Sequence, residues 1–222
     1  MFAKKKALAC AEDSGQPGAG GAGAPMLDLF ATGESLLPIP LPDGELFMME
    51  QLPLQLDNDA ILAQLIDETA WRADSITVLG KRFLQPRLTS WQGAADYTYS
   101  GVMMPAGPCS PLVQQIQSVV ENVTGLCFNS VLLNYYRDGR DSIGMHSDDE
   151  PELGPEPAIA SVSFGDTRTF VLKHKRTSQM VKLDLTAGSL LLMCGRTQAN
   201  WQHGINKTTR PVGPRLNVVT CI

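Results

Sequence analysis

Apolar positions change their spacing near residue 125 of this chain. Before it, Ile61, Leu62, Leu65 and Ile66 recur at helical spacing, continued by Trp71, with Asp57 or Asn58 placed to cap the helix. Leu112, Val113, Ile116, Val119, Val120 and Val123 repeat that pattern between Ser110, a cap, and Gly125, a stop. Each run predicts an amphipathic helix, and the first is expected to pack on a sheet. Glu45–Met49 and residues 75–79 are extended in character, and Gly80 with Lys81 suggests a tight turn. In residues 95–101, Tyr97 and Tyr99 fall on one face of a strand. From Cys127 onward the pattern is strand-like, over residues 128–136, 159–164, 168–172, 181–185, 189–193 and 215–220. Asp138-Gly139, Gly165-Asp166 and Ala187-Gly188 supply turns between them. Helices before and short strands after read as an α+β chain built on a double-stranded β-helix (jelly roll), with helices supporting one side.

Composition adds a tail and removes several classes. The chain of 222 residues allows one domain, or one domain with a tail. Gly, Ala and Pro dominate residues 1–25 without apolar periodicity, which predicts a disordered tail. Lys4, Lys5 and Lys6 precede an apolar run too short for a secretion signal. No apolar run approaches the roughly 20 residues needed to span a membrane. Cys10, Cys109, Cys127, Cys194 and Cys221 are scattered, odd in number and without a Cys-x-x-Cys pair. Neither a zinc site nor a disulfide framework is expected from them, and a reducing intracellular compartment fits. The formal net charge of −5 is not the global signature of a nucleic-acid binder. Phosphate contact would rest on local groups: the N-terminal lysines, Lys81-Arg82 with Arg87, residues 173–176, and Lys207 with Arg210.

Candidate chemistry concentrates in residues 134–150, NYYRDGRDSIGMHSDDE. His146 and Asp148 lie two positions apart and would project to one face of an extended strand. Such a pair supplies two neighbouring ligands of the facial triad that holds non-haem Fe(II) and leaves positions open. The chain has three histidines; His203, in TQANWQHGIN, is the candidate third ligand, and zinc would suit the same donors. Arg215 follows in PRLNV, the order expected if a guanidinium binds the distal carboxylate of a dicarboxylate co-substrate. His174, with no ligand partners nearby in sequence, reads as a surface or phosphate-side residue.

The string NYYRDGRDSIGMHSDDEPELGPEPAIASVSFGDTRTF, followed by GSLLLM, NWQHGI and PRLNV, resembles the AlkB family of Fe(II)/2-oxoglutarate dioxygenases. It is most similar to the branch containing the human duplex-DNA repair homologue, from about Val78 to the C-terminus. The resemblance implies Fe(II), 2-oxoglutarate and O2 as cofactors, with His146, Asp148 and His203 as catalytic metal ligands. It implies that Asn134 and Tyr136 lie beside Arg215 around 2-oxoglutarate, with Asn217 supporting them. It implies that Tyr99 stacks on a flipped base with Tyr97 in support, and that Asp149 reads the cationic edge of an alkylated base. Glu150 sits at the rim, Leu79 occupies the place of a duplex wedge, and Arg87 joins the nucleic-acid contacts.

The implied activity is oxidative dealkylation of bases such as 1-methyladenine and 3-methylcytosine in DNA, and in RNA too, releasing formaldehyde. Residues 1–25 then form the tail, 26–125 an extension and nucleotide-recognition lid with supporting helices, and 126–222 the catalytic core, one compact domain overall. A monomer without membrane association is expected, cytoplasmic if bacterial and nuclear if eukaryotic. The chain departs from the family's final motif, Arg-x-Asn-x-Thr-x-Arg. Val219 stands at the Thr position and Cys221 at the second Arg. Losing that guanidinium predicts weaker co-substrate binding, slower turnover or changed lesion choice. Two other readings stay open: an oxygenase acting on a protein or small molecule, and a nucleic-acid binding module whose catalysis is lost.

Overall fold

The computed structural model describes residues 35–78, 81–93, 97–99, 102–105 and 107–221. In chain order the first elements are β1 (Leu37–Ile39), β2 (Glu45–Met49), α1 (Asn58–Glu68), β3 (Ser75–Val78), β4 (Lys81–Leu84) and β5 (Leu88–Gly93). Then come β6 (Tyr97–Tyr99), β7 (Val102–Met104), α2 (Pro111–Thr124), β8 (Ser130–Tyr136) and β9 (Ile143–His146). The last are β10 (Ile159–Gly165), β11 (Arg168–His174), β12 (Met180–Leu185), β13 (Leu190–Cys194), α3 (Thr197–Asn200), β14 (Trp201–Ile205) and β15 (Arg215–Cys221).

Two antiparallel sheets face each other. The larger has the strand order β1-β2-β13-β10-β15-β8-β5 and the smaller β12-β11-β14-β9; β3-β4 and β6-β7 are separate hairpins. The chain before residue 126 thus contributes β1, β2 and β5 to the large sheet as well as the helices. The period of two along its central strands sorts side chains between two cores. Val131 and Leu133 of β8, Val162 and Phe164 of β10, and Leu216 and Val218 of β15 turn outward. There they meet Ile61 and Leu65 of α1 and Leu112, Val113, Ile116 and Val120 of α2. Burying each such side chain contributes about 1.5–3 kcal/mol. The alternate positions, including Tyr136, Ile159 and Cys221, face inward with Phe170, Leu172 and Ile205 of the small sheet.

Local chemistry sets the helix ends. Asp57 accepts from the Ala60 N–H at 2.8 Å and Ser110 from that of Val113 at 3.3 Å. Pro111 opens α2, and Gly125 closes it at φ 68°. Trp71 lies past the end of α1 rather than on it; its indole N–H donates to the Ile66 carbonyl at 3.0 Å. One disulfide departs from the thiol expectation: Cys127 is disulfide-bonded, whereas Cys109, Cys194 and Cys221 are free.

The turn from β10 to β11 delivers the start of β15. The Asp166 N–H donates to the Pro214 carbonyl at 3.0 Å, and its carboxylate accepts from the Gly213 N–H. Gly165 has φ +82° and pairs with Arg215, and a Cβ there would run into the Pro214 carbonyl. Gly165→Ala is therefore expected to cost about 1–3 kcal/mol. Urea denaturation beside the parent protein checks this; equal midpoints would refute it.

Candidate metal centre and its pocket

His146 is the last residue of β9, and His203 is the middle residue of β14. The two strands pair with these histidines directly opposite each other, their ring centroids 4.4 Å apart. The sequence pattern suggests one extended strand for both residues, but Asp148 lies two residues beyond the end of β9. Its carboxylate oxygens stand 3.5 Å from His146 Nε2 and 3.3 Å from His203 Nε2. One ligand atom from each residue lies within 4.8 Å of the others, a spacing that a single metal ion can bridge.

Neighbouring groups fix these donors. His146 Nδ1 lies 2.9 Å from the Gly144 carbonyl, which can only accept, so Nδ1 carries the proton and Nε2 keeps its lone pair for a metal. Ser147 donates to the Trp201 carbonyl at 2.9 Å, and the Asp148 N–H donates to Gln198 Oε1 at 3.0 Å. Phe170 stacks on His203 with centroids 5.2 Å apart.

Burial presses the Asp148 carboxyl up, but the charge of His203 and hydrogen bonds from both histidines outweigh it and hold it well below the usual carboxylate range. Burial lowers His203. Burial also presses on His146, but the hydrogen bond and charge of Asp148 prevail, and its imidazole is raised above 6.5. A metal must displace that proton. Affinity for Mn(II) should therefore climb up to about tenfold per pH unit until the raised His146 value is passed, then level off. Calorimetric titration at several pH values checks this; flat affinity from about pH 6 to 8 would contradict it.

Between the sheets lies a pocket, partly open to solvent, lined by the three donors and by Asn134, Tyr136 and Asn217. Asn217 Nδ2 donates to Ser161 Oγ at 2.7 Å and to the Val162 carbonyl at 3.0 Å. Asn134 Oδ1 accepts from Arg87 Nε at 2.8 Å. Arg215 is 1% exposed, with its guanidinium 5.3 Å from the Tyr136 ring centroid. Its Nη2 donates to Ser163 Oγ at 2.9 Å, while Nε and Nη1 are buried without hydrogen-bond partners among the described residues. Burial lowers its pKa to about 10, so it remains cationic at neutral pH. A buried guanidinium with two unsatisfied donors is costly unless an acceptor arrives.

Residues 46–220 match the family model of the 2OG-Fe(II) oxygenase superfamily. Human alpha-ketoglutarate-dependent dioxygenase alkB homolog 3 is 41% identical over 172 residues, covering 73% of this chain and 60% of the relative. Human DNA oxidative demethylase ALKBH2 is 41% identical over 175 residues, covering 73% of this chain and 67% of the relative. The chain belongs to the AlkB family of the 2OG-Fe(II) oxygenase superfamily. It spans about 60% of the length of the mouse and human homolog 3 proteins. Among solved structures, OsALKBH1 superposes with a TM-score of 0.59 at 17% identity, covering 82% of this chain and 98% of that one. A prolyl hydroxylase from Trichoplax adhaerens superposes with a TM-score of 0.57 at 10% identity, covering 81% and 83%. Both likenesses concern the fold alone and agree with the double-stranded β-helix read from the strand pattern.

The donors of this AlkB-family chain fit the cofactors of its superfamily. Two imidazoles and a carboxylate suit Fe(II). The orphaned donors of Arg215 suit a carboxylate of 2-oxoglutarate. Other residues singled out in the sequence have varied surroundings. Asp149 is exposed and pairs with Lys175 Nζ at 3.3 Å, and Lys175 also donates to the Gln198 carbonyl at 2.9 Å. Glu150 is partly buried and leads into a short 3-10 turn, Pro151–Leu153. Tyr97 and Tyr99 lie on β6, which pairs with β7, but their side chains fall outside the described residues, as does all of Leu79.

Two expectations are corrected. Arg87 is not an exposed member of a basic group: it is 4% exposed and bonded to Asn134. His174 is no surface residue: it is 1% exposed, edge-on to Trp201 at 5.0 Å, and its Nδ1 accepts the backbone N–H groups of Arg176 and Thr177. Both sit on or beside strands whose inward face binds them, which a count of local charge does not reveal.

Cys221 is buried, 3.3 Å from Ser130 Oγ. Burial, offset in part by Ser130 and reinforced by Asp148 and Glu150, raises its thiol to about 11. Sequence reading passed over Ser161 and Ser163, Gln198, and Arg168, which donates to the carbonyls of Asp138, Asp141 and Asn206. The serines carried a signal: they alternate with Ala160, Val162 and Phe164, which places them on the pocket face.

Proposed function

We propose that this chain is an Fe(II)- and 2-oxoglutarate-dependent dioxygenase that removes N-linked alkyl groups from bases in DNA. The carrying observation is the convergence of His146, Asp148 and His203 on a pocket backed by the buried, part-unpaired guanidinium of Arg215. The names of the relatives, DNA oxidative demethylase among them, support the substrate class. With the cofactors bound, 2-oxoglutarate and O2 are converted to succinate and CO2 as an N-methyl group gains one oxygen and leaves as formaldehyde.

The chain's own residues bind and orient. His146, Asp148 and His203 would hold the metal through two imidazoles and a carboxylate, a donor set that would leave it able to take up co-substrate and O2. Arg215 anchors the distal carboxylate with two charge-assisted hydrogen bonds, with Asn134 and Tyr136 beside it and Asn217 in support. Phe170, Ile143 and Ile205 wall the pocket with apolar surface that excludes water. At the rim, Asp149 meets the positive edge of a base such as 1-methyladenine, exchanging its Lys175 partner for the lesion, with Glu150 adding negative charge. Tyr99, supported by Tyr97, stacks on the flipped base, and Leu79 is the wedge residue. RNA bearing the same lesions is a second substrate, and the enzyme works inside the cell as a monomer.

The test is mass spectrometry of single- and double-stranded 1-methyladenine oligonucleotides after anaerobic Fe(II) loading and addition of 2-oxoglutarate and air, with succinate assayed in the same samples. Methyl loss with matching succinate is expected. Succinate without methyl loss would reject the nucleic-acid substrate in favour of another, and binding without either product would reject catalysis.

Cys221 refines the expectation. Its neutral thiol brings no positive charge to Asp148 and Glu150 at that end of β15, where the family's motif has a guanidinium. Cys221→Arg should change co-substrate affinity, turnover or the ratio of 1-methyladenine to neutral 3-methylthymine repair by about tenfold in at least one measure. Parent-like values in all three would refute this.

A further inference from the structure

Two asparagines line the pocket opposite each other, Asn134 on β8 and Asn217 on β15. Their amides are locked with opposite polarity. Asn217 gives its Nδ2 to the Val162 carbonyl, which can only accept, so Oδ1 is its unbonded end. Asn134 receives Arg87 Nε–H on Oδ1 at 2.8 Å, and a guanidinium can only donate. The Asn134 side chain makes no other hydrogen bond among the described residues, so its NH2 is the end left for a ligand.

We infer that Arg87 is a positioning residue: by holding the Asn134 carbonyl oxygen it commits the Asn134 NH2 as a donor to a carboxylate of the co-substrate. The inference rests on the proposed function. An anion needs donors, and of the two amides only Asn134 has one free. Without Arg87 the Asn134 amide could turn over and present oxygen to an anion, since no other side-chain hydrogen bond among the described residues holds it. The fold explains how Arg87 reaches its place. It directly precedes β5, whose Thr89 pairs with Asn134, so a residue outside the strands carrying the metal donors sets the polarity of the pocket wall. The contact is buried at both ends, Arg87 4% and Asn134 4% exposed, so water does not compete for the amide oxygen.

The experiment is calorimetric titration of 2-oxoglutarate into Mn(II)-loaded protein, with no turnover, for the parent, Arg87→Met, Asn134→Ala, the double variant and Asn134→Asp. Arg87→Met should weaken 2-oxoglutarate binding about tenfold, and the double variant should bind no more weakly than Asn134→Ala. Asn134→Asp keeps an acceptor for Arg87 and so keeps the melting temperature, yet offers only oxygens to the co-substrate; it should lose at least about tenfold. Unchanged binding in Arg87→Met, additive losses in the double variant, or unchanged binding in Asn134→Asp would each overturn the inference. If Arg87→Met fails to fold, Asn134→Asp still decides. A parent protein that binds Mn(II) but not 2-oxoglutarate would instead count against the proposed function.

Discussion

Asp148→Ala is expected to abolish the proposed methyl removal, by on the order of a thousandfold or more, and to leave the metal-free fold intact. The carboxylate is the one charged donor of the triad and stands between two imidazoles at 3.5 and 3.3 Å. Without it, two neutral imidazoles hold a hard divalent cation weakly. The backbone should not move, because the hydrogen bond from residue 148 to Gln198 uses the main-chain N–H and survives any side chain but proline. Bound metal stabilises the parent in proportion to the logarithm of its concentration over the dissociation constant, so Mn(II) should raise the melting temperature of the parent and not of the variant. A second consequence concerns His146. Its raised pKa depends on Asp148, so in Asp148→Ala it should fall, readable by NMR of the imidazole proton. A variant that retains activity and metal-dependent stabilisation would reject the triad.

Arg215→Met separates co-substrate binding from stability, moving them in opposite directions. Affinity for 2-oxoglutarate should fall by about a hundredfold or more, since two charge-assisted hydrogen bonds are worth roughly 1.5–3 kcal/mol each. Metal binding should persist, because Arg215 is no ligand. The free protein should become more stable by about 1–3 kcal/mol, because the change removes a buried charge and two unsatisfied donors, Nε and Nη1. Met fills a comparable volume and keeps contact with Tyr136. Urea denaturation with and without 2-oxoglutarate, beside calorimetry on the Mn(II) form, reads all three quantities. Arg215→Lys should not restore binding, because a point charge cannot reproduce the planar fork. Unchanged 2-oxoglutarate affinity in Arg215→Met would remove Arg215 from the proposed site. A loss of stability in the free protein would mean that its buried donors are better satisfied than their surroundings indicate.

Both expectations concern residues visible in the sequence, and the reason is local. Caps and stops act within one turn, so Asp57, Ser110 and Gly125 marked helix ends that the structure keeps. Strand faces follow a period of two, so β8, β10, β13 and β15 were legible as strands from their apolar positions. His146 and Asp148 are neighbours in the chain, and their chemistry could be read as a pair. Neither strand that carries a histidine donor was legible in the same way. β9 reads IGMH and β14 reads WQHGI, short runs with glycine and few branched residues. Their strand character comes from pairing with each other and with β11, not from propensity.

Partnership between distant positions was decided by tertiary structure alone. Opposing His203 to His146 takes a strand register spanning more than fifty residues of chain. Burying His174 under Trp201 and bringing Arg87 onto Asn134 likewise depend on which faces of which sheets meet. A charged residue looks solvated in sequence because solvation is its default. Only the closure of the two sheets withdraws water from Arg87, Arg168 and Arg215 and commits each guanidinium to a particular partner. Sequence carries the donors and their alternation, because these are properties of neighbouring residues. Packing of the sheets carries their polarity, charge state and mutual geometry, because those follow from what is excluded when the faces close.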